Sequence, residues 1–308
     1  MPGFNFNRLD AAENAFLERS LNAVKARAYE TKYPELKLRL LVPVSHETPS
    51  GAETISYVEY DAVGQAKLLA SYADDLPSVD VQSREVFAKI KGLGTSYRYN
   101  RQEIRAAMQA GMPLTDRKAR MSRRAIEILI DEIGASGHSL SGLIGLLNIP
   151  NALGYTVPAD GTGSSKLWST KTPDQILRDL NGIKNYIVTQ TKETERPNTI
   201  IVPPAHYEIL VNTARSTTSD TTIMEFWQGT NPDIRIISWG KCTGAGVGPT
   251  DRMVAYRNSE EALWLEMPLE FEQTEPEQRG LNYIIACEAR TGGIICPLPF
   301  SVAYGDGI

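Results

Sequence analysis

Side chains able to do covalent or acid–base chemistry are few and scattered in this sequence. The histidines are His46, His138 and His206. No two stand four apart, the spacing that would put a metal-binding or proton-relaying pair on one helix face. The cysteines are Cys242, Cys287 and Cys296. They form no C-x-x-C pair, so neither a zinc site nor a disulfide framework is signalled. No G-x-S-x-G nucleophile elbow occurs. One glycine-rich run, GKCTGAGVGPT (240–250), invites a phosphate-loop reading. Such a loop needs G-x-x-x-x-G-K-[ST], but Arg235 stands at the first glycine and Cys242 at the hydroxyl position. Gly244, Gly246 and Gly248 also miss the dinucleotide spacing G-x-G-x-x-G. The residues therefore name no catalytic group, no cofactor site and no metal site. The chemistry to look for is non-covalent.

Charge is where the sequence is patterned. Between 98 and 124 the bases Arg98, Arg101, Arg105, Arg117, Lys118, Arg120, Arg123 and Arg124 face only Glu103 and Asp116, a net +6. Between 46 and 85 the acids Glu47, Glu53, Glu59, Asp61, Asp74, Asp75, Asp80 and Glu85 face only Lys67 and Arg84, a net -6. Such blocks are solvated faces or complementary contact surfaces. The whole chain is acidic, at -5, which argues against a protein built to grip nucleic-acid phosphates. At 308 residues and 42% hydrophobic composition it can bury a core or two. No apolar run approaches the ~18 residues of a membrane span. The opening MPGFNFNRLDAAENAFLERS does not read as a secretory signal.

The elements that must carry these charges follow from periodicity. Leu9, Ala12, Phe16, Leu17, Leu21, Val24 and Ala28 form one helical stripe in an arm that Pro34 closes. LKLRLLVPV (36–44) alternates with period two and predicts a half-buried strand. Residues 45–83 predict a long excursion with little core of its own, opening on the strand-like TISYVEYDAVG. Residues 84–100 predict strand, and RQEIRAAMQAG a short helix that Gly111 ends. A long helix is predicted over 115–134, capped by Thr115 or Asp116, burying Met121, Ala125, Ile126, Leu129, Ile130 and Ile133 and stopped by Gly134. Thr172, Pro173 and Gln175 give a full start signal for a helix over 173–190. NTIIVPP, AHYEILVNTA and DIRIISW then read strand, helix, strand, as in an α/β layer. RMVAYR, ALWLEM, LNYIIACEAR and GIICPLPFSVAY are mostly strand. A Gly292–Gly293 turn is expected to join the last two in a hairpin, with Cys287 and Cys296 as reduced diagonal neighbours.

This order of parts resembles bacteriophage major capsid proteins with the Hong Kong 97-type fold. The residues that carry the resemblance are RYNRQEIRAAMQAGMPLTDRKARMSRRAIEILIDEIGASG running to GLIGLLNIPNA, and the closing PLEFEQTEPEQRGLNYIIACEARTGGIICPLPFSVAYGDGI. The resemblance implies an α+β chain. Residues 1–41 would be the N-terminal arm and first strand, and 42–83 the extended loop. Residues 84–138 with 251–289 would form a peripheral domain with a spine helix, and 139–250 with 290–308 an axial α/β domain. It implies a structural protein that assembles with copies of itself, as hexamers and pentamers, into an icosahedral head around double-stranded DNA. Scaffolding, portal and decoration proteins would be separate partners, with no membrane involved. Assembly would take place in the host cytoplasm, where the thiols stay reduced.

Two contact expectations follow from the resemblance. The extended loop of one subunit would lie over the peripheral domain of the next, pairing Glu53, Glu59, Asp74, Asp75 or Asp80 with Arg117, Arg120, Arg123 or Arg124. Lys67 is the one lysine of the loop that could join a covalent crosslink, as happens in some members. Some members also begin with a cleaved scaffolding extension, and none is expected here. Two rival readings stand beside this one: a bacterial nanocompartment shell of the same fold, and an α/β enzyme holding a phosphate ligand at 240–250.

Overall fold

The computed structural model describes residues 35–63, 80–111, 114–216 and 218–308. The arm stripe at 9–28, Lys67, Asp74 and Asp75 lie outside the described residues.

The segment predicted as a strand at 36–44 is instead a one-turn helix, α1 (Leu38–Leu41), followed by a two-residue strand, β1 (Val44–Ser45). Burial decides this. Leu38 and Leu41, three apart, are fully buried, while Leu40 between them is 72% exposed. The first helical N–H, that of Leu38, donates to Oδ1 of the buried Asp131 at 3.1 Å.

Strands β2 (Thr54–Val63) and β3 (Asp80–Lys89) then pair antiparallel along their full length, from Thr54 opposite Lys89 to Val63 opposite Asp80. At the base of this ribbon Ile90 is buried and its N–H donates to the Glu53 carbonyl. Tyr57 meets Trp264 edge-on at 6.5 Å. Further along, Val58 and Phe87 stay exposed. A two-stranded ribbon with exposed faces has no core of its own, so its stability depends on what it packs against.

From β3 the chain passes into β4 (Lys91–Asn100) and then α2 (Arg101–Ala110). Asn100 caps α2, accepting from the Gln102 N–H at 2.9 Å, and left-handed Gly111 ends it as expected. The long helix α3 covers Leu114–Ser136. It outruns Gly134 because the stop is Gly137, whose φ of 72° only glycine adopts readily. Gly134 has another task, since the Leu38 side chain rests directly on its Cα. The buried face of α3 is Ser122, Ile126, Ile130, Asp131 and Ile133. Met121, Ala125 and Leu129, predicted inward, face solvent.

The remaining elements follow in chain order. They are β5 (Leu153–Tyr155), α4 (Pro173–Gln190), β6 (Thr199–Val202), α5 (Pro204–Asn212), β7 (Ala214–Ser216), β8 (Ser219–Thr222), α6 (Ile223–Thr230) and β9 (Arg235–Ser238). After them come β10 (Arg252–Tyr256), β11 (Trp264–Glu266), β12 (Leu269–Gln273), β13 (Glu277–Arg279), β14 (Asn282–Thr291), β15 (Gly293–Ile295) and β16 (Val302–Asp306). The start signal of α4 is realised, with the Thr172 N–H donating to Gln175 Oε1 at 2.7 Å.

One sheet runs β5-β16-β10-β6-β9 and separates two cores. Alternate residues choose sides, as the period of two requires. Val254, Tyr256, Ile201 and Val302 join a core with α1 and α3. Met253, Ala255, Ile200, Val202 and Ala303 join the other, with α4, α5 and α6. Both faces are covered, so β6 reads as an unbroken apolar run. The central strand of this sheet is β10, which pairs antiparallel with β16 on one side and β6 on the other.

The second large sheet places β4 along all of β14, from Lys91 opposite Thr291 to Asn100 opposite Asn282, with β12 and β13 on the other edge of β14. Helix α3 packs against β4 and β14. A third, small sheet runs β1-β11-β15.

The expected hairpin between β14 and β15 does not form: β14 pairs with β4, β12 and β13, and β15 pairs with β11. Gly292–Gly293 is a crossing point between sheets. A Cβ on Gly293, at φ 71°, would sit 2.7 Å from the Ile144 carbonyl oxygen, which accepts the Ile294 N–H. Cys287 therefore faces Thr95 and Gln273 across its sheet, and not Leu298 across a hairpin, so the expected diagonal pair with Cys296 does not form.

Candidate functional site

The glycine-rich loop at 240–250 is closed to an anion. Its Gly244 N–H donates to Asp251 Oδ1 at 3.0 Å, and its Val247 N–H donates to Asp306 Oδ2 at 3.2 Å. Two of the protein's own carboxylates thus occupy the positions a phosphate would take, and their charge would repel one. Asp306 is itself held by Arg252, through Nε at 2.7 Å and the second guanidinium nitrogen at 2.8 Å. Burial alone would raise its carboxyl, but Arg252 and the Val247 N–H outweigh that and hold it below the ordinary range. Burial pushes the Cys242 thiol up to about 12, so it is no nucleophile. The phosphate-enzyme reading ends here.

The histidines do not converge either. His206 Nε2 lies 2.9 Å from Asp251 Oδ2, and its ring meets Trp168 edge-on at 5.4 Å. Burial lowers its pKa, and the Asp251 hydrogen bond only partly offsets this. His46 is bound to the Met267 carbonyl and His138 to Ser141, on other parts of the fold. The densest polar cluster holds the entry to α4. Lys171 Nζ donates to Asp179 Oδ2 at 2.5 Å and to the Pro158 carbonyl at 2.8 Å, with Asp160 at 3.2 Å. Trp168 Nε1 donates to the same Asp179 oxygen at 3.1 Å. These partners all lie within one short stretch of chain, so the cluster is a structural lock for the loop before α4.

What remains is surface. The +6 block falls on β4, α2 and α3. Lys118 is used within the chain, on Glu103 at 3.1 Å, on the Arg98 carbonyl and over the Tyr99 ring. Arg123 lies over the Phe271 ring at 6.0 Å, and Arg117 and Arg120 are exposed on α3. The -6 block begins just before β2 with Glu47 and Glu53 and continues through β2, the stretch of sequence after it and β3. Glu53 is exposed at the ribbon's base, and Asp80 begins β3 at the far end. Glu59 stands opposite Arg84, its carboxylate 3.8 Å from the guanidinium, so it has a partner within its own ribbon. The two blocks thus sit on separate elements, one on β4, α2 and α3 and the other on and around the β2–β3 ribbon.

Apolar side chains mark the same two places. Met121, Ala125, Ile128 and Leu129 are exposed on α3, at the i, i+4, i+7, i+8 spacing of one helix face. This stripe escaped the sequence reading, which assigned three of the four inward. The available signal was excess: apolar residues fill both the Met121 side and the Ile126–Ile130–Ile133 side, more than one buried face can take. Exposed apolar residues in a row on a regular element mark a contact surface and not a reaction centre.

Comparison with known proteins decides what kind of surface this is. The major capsid protein family model matches residues 64–308. The chain belongs to the major capsid protein family. No curated protein matches it in sequence. Its fold matches the capsid of Myoviridae phage XM1 at a TM-score of 0.80 and 16% identity, covering 94% of this chain and 98% of that one. It also matches the capsid of an empty GTA particle, at 0.60 and 9%, covering 96% and 97%. A virus-like particle from Pyrococcus furiosus matches at 0.54 and 14%, covering 97% and 98%. This capsid protein has the α+β Hong Kong 97-type fold over nearly its whole length. It is a structural, self-assembling shell protein and not an enzyme, and its place is the capsid of a virion or virus-like particle. The functional site of such a protein is the surface by which copies meet.

Proposed function

We propose that this capsid protein builds the icosahedral head of a tailed bacteriophage and encloses double-stranded DNA, meeting its copies as hexamers and pentamers. The observation that carries this reading is the structural match to the phage XM1 capsid, at a TM-score of 0.80 against 0.54 for the Pyrococcus furiosus particle. The acidic balance of the chain fits a container, since a net-negative wall limits sticking to packed DNA. Assembly occurs in the host cytoplasm, with scaffolding, portal and decoration proteins as separate partners. The unit of α3 with β4 and β12–β14 is the peripheral part. The sheet β5-β16-β10-β6-β9 with α4–α6 is the axial part.

Contacts between copies use the two charge blocks. Glu53, Asp74, Asp75 and Asp80 of one ribbon face Arg117, Arg120, Arg123 or Arg124 of the next copy's α3, while Glu59 contributes less because Arg84 holds it. Each exposed pair contributes only about 0.2–1 kcal/mol. Repetition at every subunit makes the sum matter, and salt near 1 M, with a Debye length of about 3 Å, removes most of it. Lys67, which lies between β2 and β3 in sequence, is the residue available for a crosslink to a neighbour.

The test is the content of particles from infected or expressing cells. Nuclease-resistant double-stranded DNA of uniform length supports the phage-head reading. Particles holding protein cargo and no DNA would replace it with the nanocompartment reading, which the Pyrococcus furiosus match keeps in view.

A further inference from the structure

The polar cluster at the entry to α4 has the parts of an amide-forming site. The side chains of Lys171 and Asp179 are both 0% exposed, and Lys171 Nζ lies 2.5 Å from Asp179 Oδ2. An amine and a carboxyl group are thus held in contact, with water kept out. For well-oriented groups such fixation equals an effective concentration of about 10⁵–10⁸ M. As ions the two are charges withdrawn from water, which is a costly state. Joined as an amide they carry no charge.

The surroundings supply the rest of the chemistry. Trp168 Nε1 donates to Asp179 Oδ2 at 3.1 Å. An N–H therefore already points at the oxygen that gains negative charge when a nitrogen adds to the carboxyl carbon. Asp179 Oδ1 is buried with no hydrogen-bond partner, so it is the oxygen free to depart. Burial holds the Asp179 carboxyl above its ordinary range, while Lys171, Trp168 and Arg178 pull it the other way. Burial thus favours the protonated carboxyl, the form an amine attacks. Asp160 Oδ1 lies 3.2 Å from Lys171 Nζ, within reach of a proton that the nitrogen must lose. The other Asp160 oxygen is paired with Arg178. The next residue, Gly161, packs so closely on Thr170 Oγ1 and the Ser165 carbonyl that a Cβ would not fit. Asp160 is thereby fixed from both sides.

We propose that Lys171 and Asp179 are a self-modification site, at which Lys171 Nζ condenses with the Asp179 carboxyl group to form an amide within one chain. The step balances without a co-reactant. One ammonium proton passes to Asp179, giving an amine and a carboxylic acid. The nitrogen adds to Cγ, a second proton leaves it through Asp160, and Oδ1 departs with both protons as water. Oδ2 stays as the amide oxygen under the Trp168 N–H. The one proton left on Nζ keeps the Pro158 carbonyl, 2.8 Å away, as its acceptor. The bond makes the lock before α4 permanent. It joins other residues than the neighbour-to-neighbour crosslink considered for Lys67, and it does not depend on the shell reading.

The test is the mass of the full-length wild-type chain, read intact under denaturing conditions from purified subunit and from shells. One condensation makes the chain about 18 Da lighter than its sequence. After trypsin, the proposal expects the peptide 167–178, uncut at Lys171, joined to the peptide 179–184. Lys171→Met should show no loss of water. Asp160→Asn should be linked at least tenfold less at equal age, with an unchanged far-ultraviolet circular dichroism spectrum, since a positioned base contributes about 10²–10⁴-fold to rate.

Folded wild-type chains at full mass, in subunit and shell alike, would overturn the proposal whatever the variants do. A loss of the same size traced to the Asp160–Gly161 step would overturn it too. An aspartyl–glycine step can lose water to its own backbone, and hydroxylamine cleaves that product but not a side-chain amide. An Asp160→Asn chain that links as fully as the wild type would overturn the role given to Asp160.

Discussion

The contact between Leu38 and Gly134 anchors α1 to the spine helix, and it can be tested by a double-mutant cycle. Leu38 is 1% exposed, and its δ carbons occupy the space where a side chain at position 134 would begin. Leu38→Ala removes those carbons and leaves a cavity, which costs about 3 kcal/mol within the usual range of about 2–5. Gly134→Ala alone gains about 1 kcal/mol of helix propensity. Its methyl, however, overlaps Leu38 inside a packed core, at a cost of about 1–3 kcal/mol. The net loss is about 1 kcal/mol. In the double variant the overlap is gone, the propensity gain remains, and the new methyl fills part of the cavity. The pair should therefore cost about 2 kcal/mol, where independent effects would give about 4. The coupling is read from urea unfolding of the unassembled subunit, followed by tryptophan fluorescence and far-ultraviolet circular dichroism. Additivity to within about 0.5 kcal/mol, the behaviour of sites that do not touch, would refute the packing described for α1 and α3.

Three further outcomes are expected. Reversing Arg120 and Arg123 to Glu should lower shell yield at low salt, and Glu53→Lys with Asp80→Lys should restore part of it; no rescue, scored by sedimentation, would count against the proposed charge contacts. His206 is held neutral by burial, with a folded pKa below the unfolded value of about 6.5. The unfolded chain therefore takes up that proton first, so His206 lowers stability as pH falls through about 6.5, and the loss levels off below the folded value. Unfolding midpoints between pH 8 and 5 should fall more steeply for the wild type than for His206→Gln, and parallel curves would refute this. Burial pushes the Cys242 and Cys296 thiols up to about 12, and Cys287 is 2% exposed. A thiol reagent at pH 8 should find no fast-reacting cysteine in the native subunit and 3 after denaturation.

How much of this the sequence disclosed depended on whether a local signal could decide the structure. The start of α4 was readable because Thr172, Pro173 and Gln175 act within one turn of chain. The end of α2 was readable for the same reason, since Gly111 alone supplies the left-handed stop. Strands β6 and β10 were readable as short apolar runs with turn residues beside them. Residues 36–44 misled because Lys37 and Arg39 alternate with leucines as a strand would. The choice of helix rests on Asp131, 93 residues away, accepting the Leu38 N–H. Gly134 looked like a stop because nothing nearby shows Leu38 resting on it. Gly292–Gly293 looked like a hairpin turn because the close approach of Ile144 cannot be read from neighbouring residues. For the assembly surface, the charge blocks were visible at once. The apolar stripe of α3 was not, because exposure of Met121, Ala125, Ile128 and Leu129 depends on which face β4 and β14 cover.

Cryo-electron microscopy of the purified, full-length protein tests the central claim most directly. The proposed head reading predicts closed shells of icosahedral symmetry, with the β5-β16-β10-β6-β9 sheet nearest the five- and six-fold axes and α3 with the β4–β14 sheet away from them. A protein that stays monomeric at tens of micromolar across salt and pH, with no rings or shells on the grids, would contradict it.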